Sequence, residues 1–218
     1  MIKLKNISKK YEKQIVLENL DLDVNKGDML GIMGVSGSGK STLLNILGTI
    51  DTPTSGQYQF YDTNVLEMST SQIAQFRNNY IGFIFQQYHL IPHYTVAENI
   101  LLPHSFGNKR MTKEDEQYIG FLCDEISISH LLNKKAELLS GGEQQRVAIV
   151  RALAKRPDII LADEPTGNLD ENNKSIILDI LNKINQEGTT LIVVTHDISI
   201  FQQCHTKINL AGGGIFEN

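Results

Sequence analysis

Gly34-Val-Ser-Gly-Ser-Gly-Lys-Ser41 is the stretch that decides how this chain folds. An apolar run typical of a buried strand, residues 29–33, comes before it, and a segment with helical apolar spacing, residues 42–47, comes after it. The spacing of its glycines, lysine and serine satisfies the P-loop pattern, in which backbone N–H groups surround phosphates, the lysine reaches the terminal oxygens and the hydroxyl binds Mg²⁺. A plain glycine-rich turn is the alternative. The flanking elements favour a nucleotide-binding loop, which by itself does not define the reaction.

Length and composition bound the class of protein. The 218 residues suffice for one large α/β domain with a substantial core. The formal net charge of −5 argues against a protein that mainly holds a nucleic-acid backbone, because such binding needs clustered Lys and Arg. One basic concentration occurs, which we interpret as the solvated face of edge strands. It consists of Lys3, Lys5, Lys9, Lys10 and Lys13.

Cys123 and Cys204 stand in unrelated contexts without metal-ligand spacing, so we expect free thiols in a reducing compartment. No signal-peptide h-region opens the chain, and no apolar run is long enough to cross a bilayer. We therefore predict a cytoplasmic protein whose membrane role depends on a partner.

The pattern of apolar residues predicts an α/β arrangement. Alternation predicts antiparallel strands over residues 2–7 and in two short pieces of 15–24 on either side of Asn19. The strand-like stretch 57–61 and the apolar runs 81–85, 158–162 and 190–194 predict strands. Helical periods predict helices over 96–102, 113–123, 143–154 and 175–184. Residues 87–155 are therefore interpreted as a helical insertion. Polar residues follow several strands, at the edge where open α/β sheets bind ligands.

An acidic pair, Asp163-Glu164, ends one of these apolar runs. Across from a P-loop, the aspartate can hold Mg²⁺ together with Ser41, and the glutamate can orient or deprotonate an attacking water. An ordinary helix N-cap is the alternative interpretation of such a pair.

A second diagnostic segment is Leu139-Ser-Gly-Gly-Glu-Gln-Gln-Arg146, which places a hydroxyl and two glycines at the start of a helix. The helix dipole makes this a second phosphate site. Because one chain has one P-loop, the second site suggests a phosphate presented by another copy. A capping box between Ser140 and Glu143 is an alternative that can hold at the same time.

Together with residues 167–170 and Thr195-His196, these motifs stand in an order that resembles the ATP-binding cassette (ABC) ATPases over essentially the whole chain. The resemblance implies an α/β fold: a P-loop NTPase (RecA-like) core with an antiparallel β subdomain and a helical signature subdomain. Residues 1–218 would form a single domain, in which 1–86 and 156–218 make the nucleotide-binding core with the β subdomain and 87–155 make the helical subdomain.

The resemblance also implies roles for the matching residues, with ATP and Mg²⁺ as cofactors. Catalytic roles fall to Glu164 as the catalytic carboxylate, His196 as a contact of the γ-phosphate, Lys40 and Gln86. The implied Mg²⁺ shell consists of Ser41, Gln86 and Asp163. The implied ATP contacts are Tyr11 (stacking on adenine), Gly34, Ser36, Gly37, Ser38, Gly39, Lys40, Ser41 and Thr42, with Ser140, Gly141, Gly142 and Glu143 reaching the ATP of the opposite subunit and Asp170 at the dimer interface.

Two of these assignments have a plainer alternative. Tyr11 can simply pack in an edge strand, and His196 can be a satisfied core histidine. Segments 44–56, 81–86 and 161–170 are similar to a bacterial subgroup that serves lipoprotein release and the export of macrolides and antimicrobial peptides. Residues 57–65 depart from it in lacking a glycine turn, and the segment after His196 is short.

The leading hypothesis is an ATP-hydrolysing subunit that forms a homodimer around two ATP molecules. It would power a separate integral membrane permease from the inner face of the cell membrane, without a nucleic-acid partner. The uncharged, aromatic segment 88–96 is predicted to receive a helix of that permease, with packing of the helical region as the alternative. A soluble ABC ATPase acting on nucleic acid or the ribosome is a second hypothesis. A catalytically dead regulatory subunit is a third, which the intact Lys40, Asp163, Glu164 and His196 disfavour.

Overall fold

The computed structural model describes residues 1–106 and 111–217, so residues 107–110 of the predicted helical subdomain lie outside the described residues. The strands are β1 (Ile2–Tyr11), β2 (Gln14–Val24), β3 (Met29–Met33), β4 (Ser55–Phe60), β5 (Thr63–Asn64), β6 (Ile81–Phe85), β7 (Ile159–Asp163), β8 (Thr190–Val194), β9 (Thr206–Ala211) and β10 (Gly214–Glu217). The α-helices are α1 (Lys40–Leu47), α2 (Thr70–Tyr80), α3 (Val96–Ser105), α4 (Lys113–Glu125), α5 (Gly141–Leu153), α6 (Glu171–Gln186) and α7 (Ile198–Gln203).

These strands form two sheets. An antiparallel sheet has the order β2-β1-β4-β5, and a larger sheet has the order β10-β9-β3-β8-β7-β6. In the larger sheet β9, β3, β8, β7 and β6 run parallel, and β10 pairs with β9 antiparallel. The fold is thus the predicted α/β core with an antiparallel β region and a helical region.

The parallel strands are buried on both faces, which explains their continuous apolar runs. Alternate residues of β7 point to opposite sides. Ile160 and Ala162 join a core with helices α3 to α6, whereas Ile159 and Leu161 join a core with α1 and the antiparallel sheet. The predicted helical region therefore shares one continuous core with one face of the parallel sheet.

The structure corrects the interpretation of the N-terminal strands. Residues 15–24 belong to one strand, β2, whose pairing with β1 shifts register around Asn6 and Asn19, both at positive φ. Strand β1 lies between β2 and β4, so it is not an edge strand. Among its lysines, Lys9 is largely buried and ion-paired with Asp51, because the loop after α1 approaches the end of β1.

Helix α2 was not predicted, because Phe76 is its one fully buried side chain and its apolar period is weak. Its start is marked by a capping box between Ser69 and Gln72. The turn between β4 and β5 uses Tyr61 at φ 50° where a glycine was expected. The segment after His196, although short, supplies α7, β9 and β10.

Candidate functional site

The sheet order brings the predicted motifs together. The register pairs Ile32 of β3 with Val194 of β8, Val194 with Asp163 of β7, and Asp163 with Phe85 of β6. These residues lie at the carboxyl ends of four adjacent parallel strands, so the segments that follow them emerge at one edge. Those segments are the P-loop, Thr195-His196, the turn at Glu164 and the loop that begins at Gln86.

A cavity of about 660 Å³ lies at this edge. It is lined by Gln14, Val16, Ser36, Gly37, Gly39, Lys40, Ser41, Thr42, Gln86, Asp163, Glu164, Gly167 and His196. The structure therefore brings together the four side chains for which catalysis was predicted and the three predicted for Mg²⁺.

Three cavity residues were not among the predicted site residues. Gln14 and Val16 belong to β2, and no local motif marks them, because only the packing of β2 against the P-loop brings them there: a Cβ on Gly39 would lie 3.0 Å from the Val16 carbonyl oxygen. Gly167 lies in the Asp-Glu-Pro-Thr-Gly segment, whose fixed distance from Asp163 was a usable signal.

The P-loop conformation depends on glycine at its last position before the helix. Gly39 is the N-cap of α1 with φ 101°, in the left-handed region that L side chains rarely adopt. From there α1 begins at Lys40, whose ammonium is largely buried and donates to the carbonyl oxygens of Gly34 at 2.8 Å and Val35 at 3.0 Å. The Lys40 ammonium and the positive end of the α1 dipole are thus directed to the same loop, which suits an anionic ligand.

Ser41 and Asp163 form the candidate metal site. The Ser41 hydroxyl donates to Asp163 Oδ2 at 3.2 Å, and Gln86 lies in the same cavity. Burial raises the pKa of Asp163, while the Ser41 hydrogen bond and the Lys40 charge oppose that rise. No group of three or more His, Cys, Asp and Glu side chains within the described parts of the chain is arranged to hold a metal by itself. Mg²⁺, which is typically bound by one or two carboxylates plus substrate phosphates, fits this sparse oxygen donor set.

Glu164 has the geometry of a fixed, unsatisfied carboxylate. Its backbone adopts φ 46°, a strained conformation for a non-glycine residue, and its N–H donates to the Val194 carbonyl oxygen at 2.9 Å. Its Oε2 accepts from the His196 backbone N–H at 3.1 Å. Its Oε1 is buried, makes no hydrogen bond within the described residues and lies 3.5 Å from His196 Nε2. One oxygen is thus held by a backbone N–H, and the other lies buried beside the His196 ring.

Gln86 is linked to the segment after Glu164. The Asn168 side-chain amide donates to the backbone carbonyl oxygen of Gln86 at 3.1 Å. The Gln86 side-chain Nε2 lies 3.5 Å from Asn168 Oδ1. Gly167 permits this approach, because a Cβ there would lie 2.8 Å from Gln86 Nε2. The loop after β6 and the turn after β7 are therefore joined beside the cavity.

The second diagnostic segment, residues 139–146, is called the signature segment below and lies outside the cavity lining. Ser140 is the N-cap of α5 and forms the expected capping box with Glu143, whose Oε2 accepts from the Ser140 N–H at 2.7 Å. Gly142 packs closely against the start of α6, because a Cβ there would lie 2.3 Å from Asn173 Oδ1. Asp170 is the N-cap of α6 and accepts hydrogen bonds from Asn173. These residues, with Gly141, form a second group apart from the P-loop.

Three further residues predicted to contact ATP also lie outside the lining. The Ser38 hydroxyl is buried without a hydrogen-bond partner among the described residues, and Gly34 packs against the Leu210 carbonyl and Ser38. The Tyr11 ring is partly exposed, and its hydroxyl donates to Asp51.

No helix within residues 1–106 and 111–217 combines the length and the apolar character that crossing a membrane requires.

Comparison with known proteins agrees with this geometry. The family model described as ABC transporter matches residues 17–167. The lipoprotein-releasing system ATP-binding protein LolD of Myxococcus xanthus is 38% identical over 222 residues, which cover 100% of this chain and 99% of LolD. The macrolide export ATP-binding/permease protein MacB of Campylobacter jejuni is 42% identical over 218 residues, which cover 100% of this chain and 34% of MacB. The chain thus spans about a third of the length of that relative.

Solved structures show the same fold. The ATP-binding cassette MJ0796, in a dimeric post-hydrolysis state bound to ADP and Pi, is 40% identical, with a TM-score of 0.89 over 99% of this chain and 96% of that one. A second dimeric structure of MJ0796, described as a bacterial ABC transporter cassette, is 42% identical with the same TM-score of 0.89. The family match, the full-length relative and the shared fold confirm the resemblance seen in the motifs: the chain belongs to the ABC transporter family, as one of its ATPase cassettes.

Proposed function

We propose that this chain binds and hydrolyses ATP in the cavity at the carboxyl edge of the parallel sheet. The observation that carries the proposal is the convergence there of a cationic loop, an oxygen donor pair and a carboxylate held in place by a backbone N–H. Lys40 supplies the first, Ser41 with Asp163 the second, and Glu164 the third. Phosphoryl transfer to water needs these parts in one place.

Each residue has a separate task in this proposal. Lys40 and the backbone N–H groups of the P-loop bind the phosphates, and Ser41, Asp163 and Gln86 hold Mg²⁺. Bound Mg²⁺ supplies neutralisation of the negative charge on the phosphates. The Glu164 carboxylate accepts a proton from the attacking water, and the His196 side chain, whose Nε2 lies 3.5 Å from Glu164 Oε1, contacts the terminal phosphate. The strained backbone at Glu164 and the His196 N–H keep the carboxylate in place before the reaction.

We further propose that two copies act together. Ser140 to Glu143 lie at the N-terminus of α5, outside the cavity of their own chain, so they are available to an ATP held by a second copy. Asp170, at the start of α6, would lie at the same interface. The dimeric structures of MJ0796 support this arrangement, since that protein is similar along nearly its whole length.

The partner of the dimer is proposed to be a membrane-spanning permease. The segment 88–96 contains the exposed Tyr94 and His93, and its His89 lines a mainly apolar groove of about 490 Å³ between α2, β6, α3 and α5. The groove includes Phe85, the last residue of β6, and His89, so it adjoins the loop that begins at Gln86. A short amphipathic helix suits such a groove.

The cargo is proposed to be a peptide, a lipoprotein or an antimicrobial compound moved outward or extracted. The printed names of the relatives, macrolide export for MacB and lipoprotein release for LolD, support this class. The chain would then act at the inner face of the cell membrane, held there by its permease. The net charge of −5 supports the absence of a nucleic-acid partner.

Phosphate release from Mg²⁺-ATP by the purified chain tests the central proposal. Asp163→Asn removes one of the oxygen donors and should abolish most of the release. Asp62→Asn is the matched control, since Asp62 is an exposed carboxylate in the β4–β5 turn, and it should leave the rate unchanged. Equal rates in both variants would place hydrolysis at another site.

A further inference from the structure

Three side chains form a connected cluster beside the cavity but outside its lining. Lys9 and Tyr11 lie at the end of β1, and Asp51 lies in the loop after α1. The Tyr11 hydroxyl donates to Asp51 Oδ2, and Lys9 Nζ donates to Asp51 Oδ1 at 2.6 Å. The Thr52 backbone N–H also donates to Oδ1, at 2.7 Å. Both oxygens of Asp51 are therefore committed within the cluster.

Lys9 covers one face of the tyrosine ring. Its ammonium lies 4.7 Å from the ring centroid, within cation–π distance, and it also donates to the Thr52 carbonyl oxygen at 2.7 Å. The Lys9 side chain is 12% exposed, whereas Tyr11 is 44% exposed. The ring is thus held at its tip by Asp51 and on one face by Lys9, and much of the remainder is open.

The held ring adjoins the nucleotide cavity. The Tyr11 hydroxyl also lies near Thr42, which follows the P-loop serine and lines that cavity. The same hairpin continues into β2, where Gln14 and Val16 also line the cavity. An aromatic face at this place is positioned to meet the base of a nucleotide whose phosphates lie on the P-loop.

We propose that Asp51 and Lys9 are positioning residues for the base of the nucleotide: they fix the Tyr11 ring before binding, with one face covered and the other presented to the base. Stacking uses ring faces, and a ring already held in its bound orientation avoids the entropic cost of ordering it. This inference rests on the proposed function, because it assigns the base to the side of the cavity that Tyr11 borders.

The ionisation of the cluster agrees with this role. The hydrogen bond to Asp51, together with burial, raises the pKa of Tyr11, so its hydroxyl remains a donor. Burial alone raises the pKa of Asp51, but the hydrogen bonds from Lys9, Tyr11 and the Thr52 N–H outweigh it and leave that pKa below its ordinary value. The acceptor is therefore a carboxylate throughout the neutral range.

If Asp51 had only a structural role, its replacement would have a different effect on binding. Asp51 also joins β1 to the loop after α1, so its loss can loosen the neighbourhood of the P-loop. Loosening would weaken every phosphate ligand, with or without a base. Positioning through Tyr11 would weaken only ligands that carry a base, and only while the Tyr11 ring is present.

Calorimetric binding of ADP and of inorganic pyrophosphate separates the two roles. Four proteins are needed: the parent, Asp51→Ala, Tyr11→Ala and the double variant. Asp51→Ala should raise the Kd for ADP about fivefold, the effect of one typical hydrogen bond, and leave the Kd for pyrophosphate unchanged. Tyr11→Ala should raise the Kd for ADP by about 5- to 100-fold, and adding Asp51→Ala to it should cost nothing more.

Tyr11→Phe tests the same hydrogen bond without touching Asp51, should Asp51→Ala fold poorly, and it should reproduce the selective loss of ADP affinity. Asp23→Ala, an exposed carboxylate of β2, is the control. Equal losses for ADP and pyrophosphate, or additive losses in the double variant, would overturn the positioning role. If the parent binds neither ligand, the proposed function itself fails. If the parent binds ADP and neither Asp51→Ala nor Tyr11→Phe changes its Kd, only the present inference fails.

Discussion

Replacing Glu164 by glutamine should leave ATP bound and stop most of its hydrolysis. The amide has the shape of the carboxylate, and its carbonyl oxygen can still accept from the His196 N–H, a bond of 3.1 Å in the parent. The fold and the outline of the cavity should therefore persist. What disappears is the ability of the side chain to take up a proton, because an amide does not accept one at neutral pH.

The size of the effect follows from that single loss. A positioned general base contributes roughly 10²–10⁴ in rate, which corresponds to about 2.7–5.4 kcal/mol of activation free energy. Affinity for ATP should be equal or somewhat higher, because the substitution removes a negative charge beside the phosphates. The variant should thus lose turnover and keep its Kd for ATP.

Two measurements on the same preparation test this expectation. Phosphate release at saturating Mg²⁺-ATP gives the turnover, and titration with labelled ATP gives the Kd. Glu116→Gln is the matched control, since Glu116 is an exposed carboxylate on α4, and it should behave as the parent. Hydrolysis by Glu164→Gln at the parental rate would refute the assignment of Glu164 as the base.

Three further variants probe separate parts of the account. Lys40→Ala should raise the Kd for ATP by on the order of 10- to 100-fold in the same titration, because it removes the charge-assisted hydrogen bonds to the phosphates. Tyr94→Asp, at a 42% exposed side chain, should leave basal ATPase intact and abolish assembly with the permease in a reconstituted transport assay. Glu143→Gln should lower Tm by about 1–3 °C at pH 7, because the Ser140 N–H holds the pKa of Glu143 below its ordinary value at the helix N-terminus.

The sign of the last effect is fixed by the lowered pKa. Stability from Glu143 is complete above its unfolded pKa of about 4.3 and is lost as pH falls through the lower pKa of the folded state. The Tm difference should therefore close in acid, and a difference that persists at pH 2 would contradict the charge-based account. For the other two variants, an unchanged ATP Kd in Lys40→Ala or normal transport by Tyr94→Asp would refute the respective role.

Much of the core was predictable because its signals are local. Strands β3, β6, β7 and β8 are continuous apolar runs, and each motif follows a strand end, so one topological rule places Gln86, Asp163 and His196 at the same edge. The capping box at Ser140 was predictable for the same reason, since its two partners stand three residues apart. The residues of each of these motifs stand close together in the sequence, so the sequence pattern alone reveals them.

The parts that were not predicted depend on tertiary packing. Helix α2 fully buries only the Phe76 side chain, so its apolar period is weak, and only its capping box marks it. Gln14 and Val16 reach the cavity through the packing of β2 against the P-loop. Lys9 looked like part of a solvated face, and only its partner Asp51, far away in the sequence, shows otherwise. Pairings of this kind have no local sequence pattern.

The mass of Glu164→Gln in solution, with and without ATP, tests the composite site most directly. Multi-angle light scattering should give about the chain mass of 24.4 kDa without nucleotide and twice that value with ATP, because the signature at Ser140 of each copy would bind the ATP held by the other. Adding Ser140→Arg should abolish the shift, since its bulk and charge block that contact. One unchanged mass under all four conditions would contradict the proposal that two copies close around ATP.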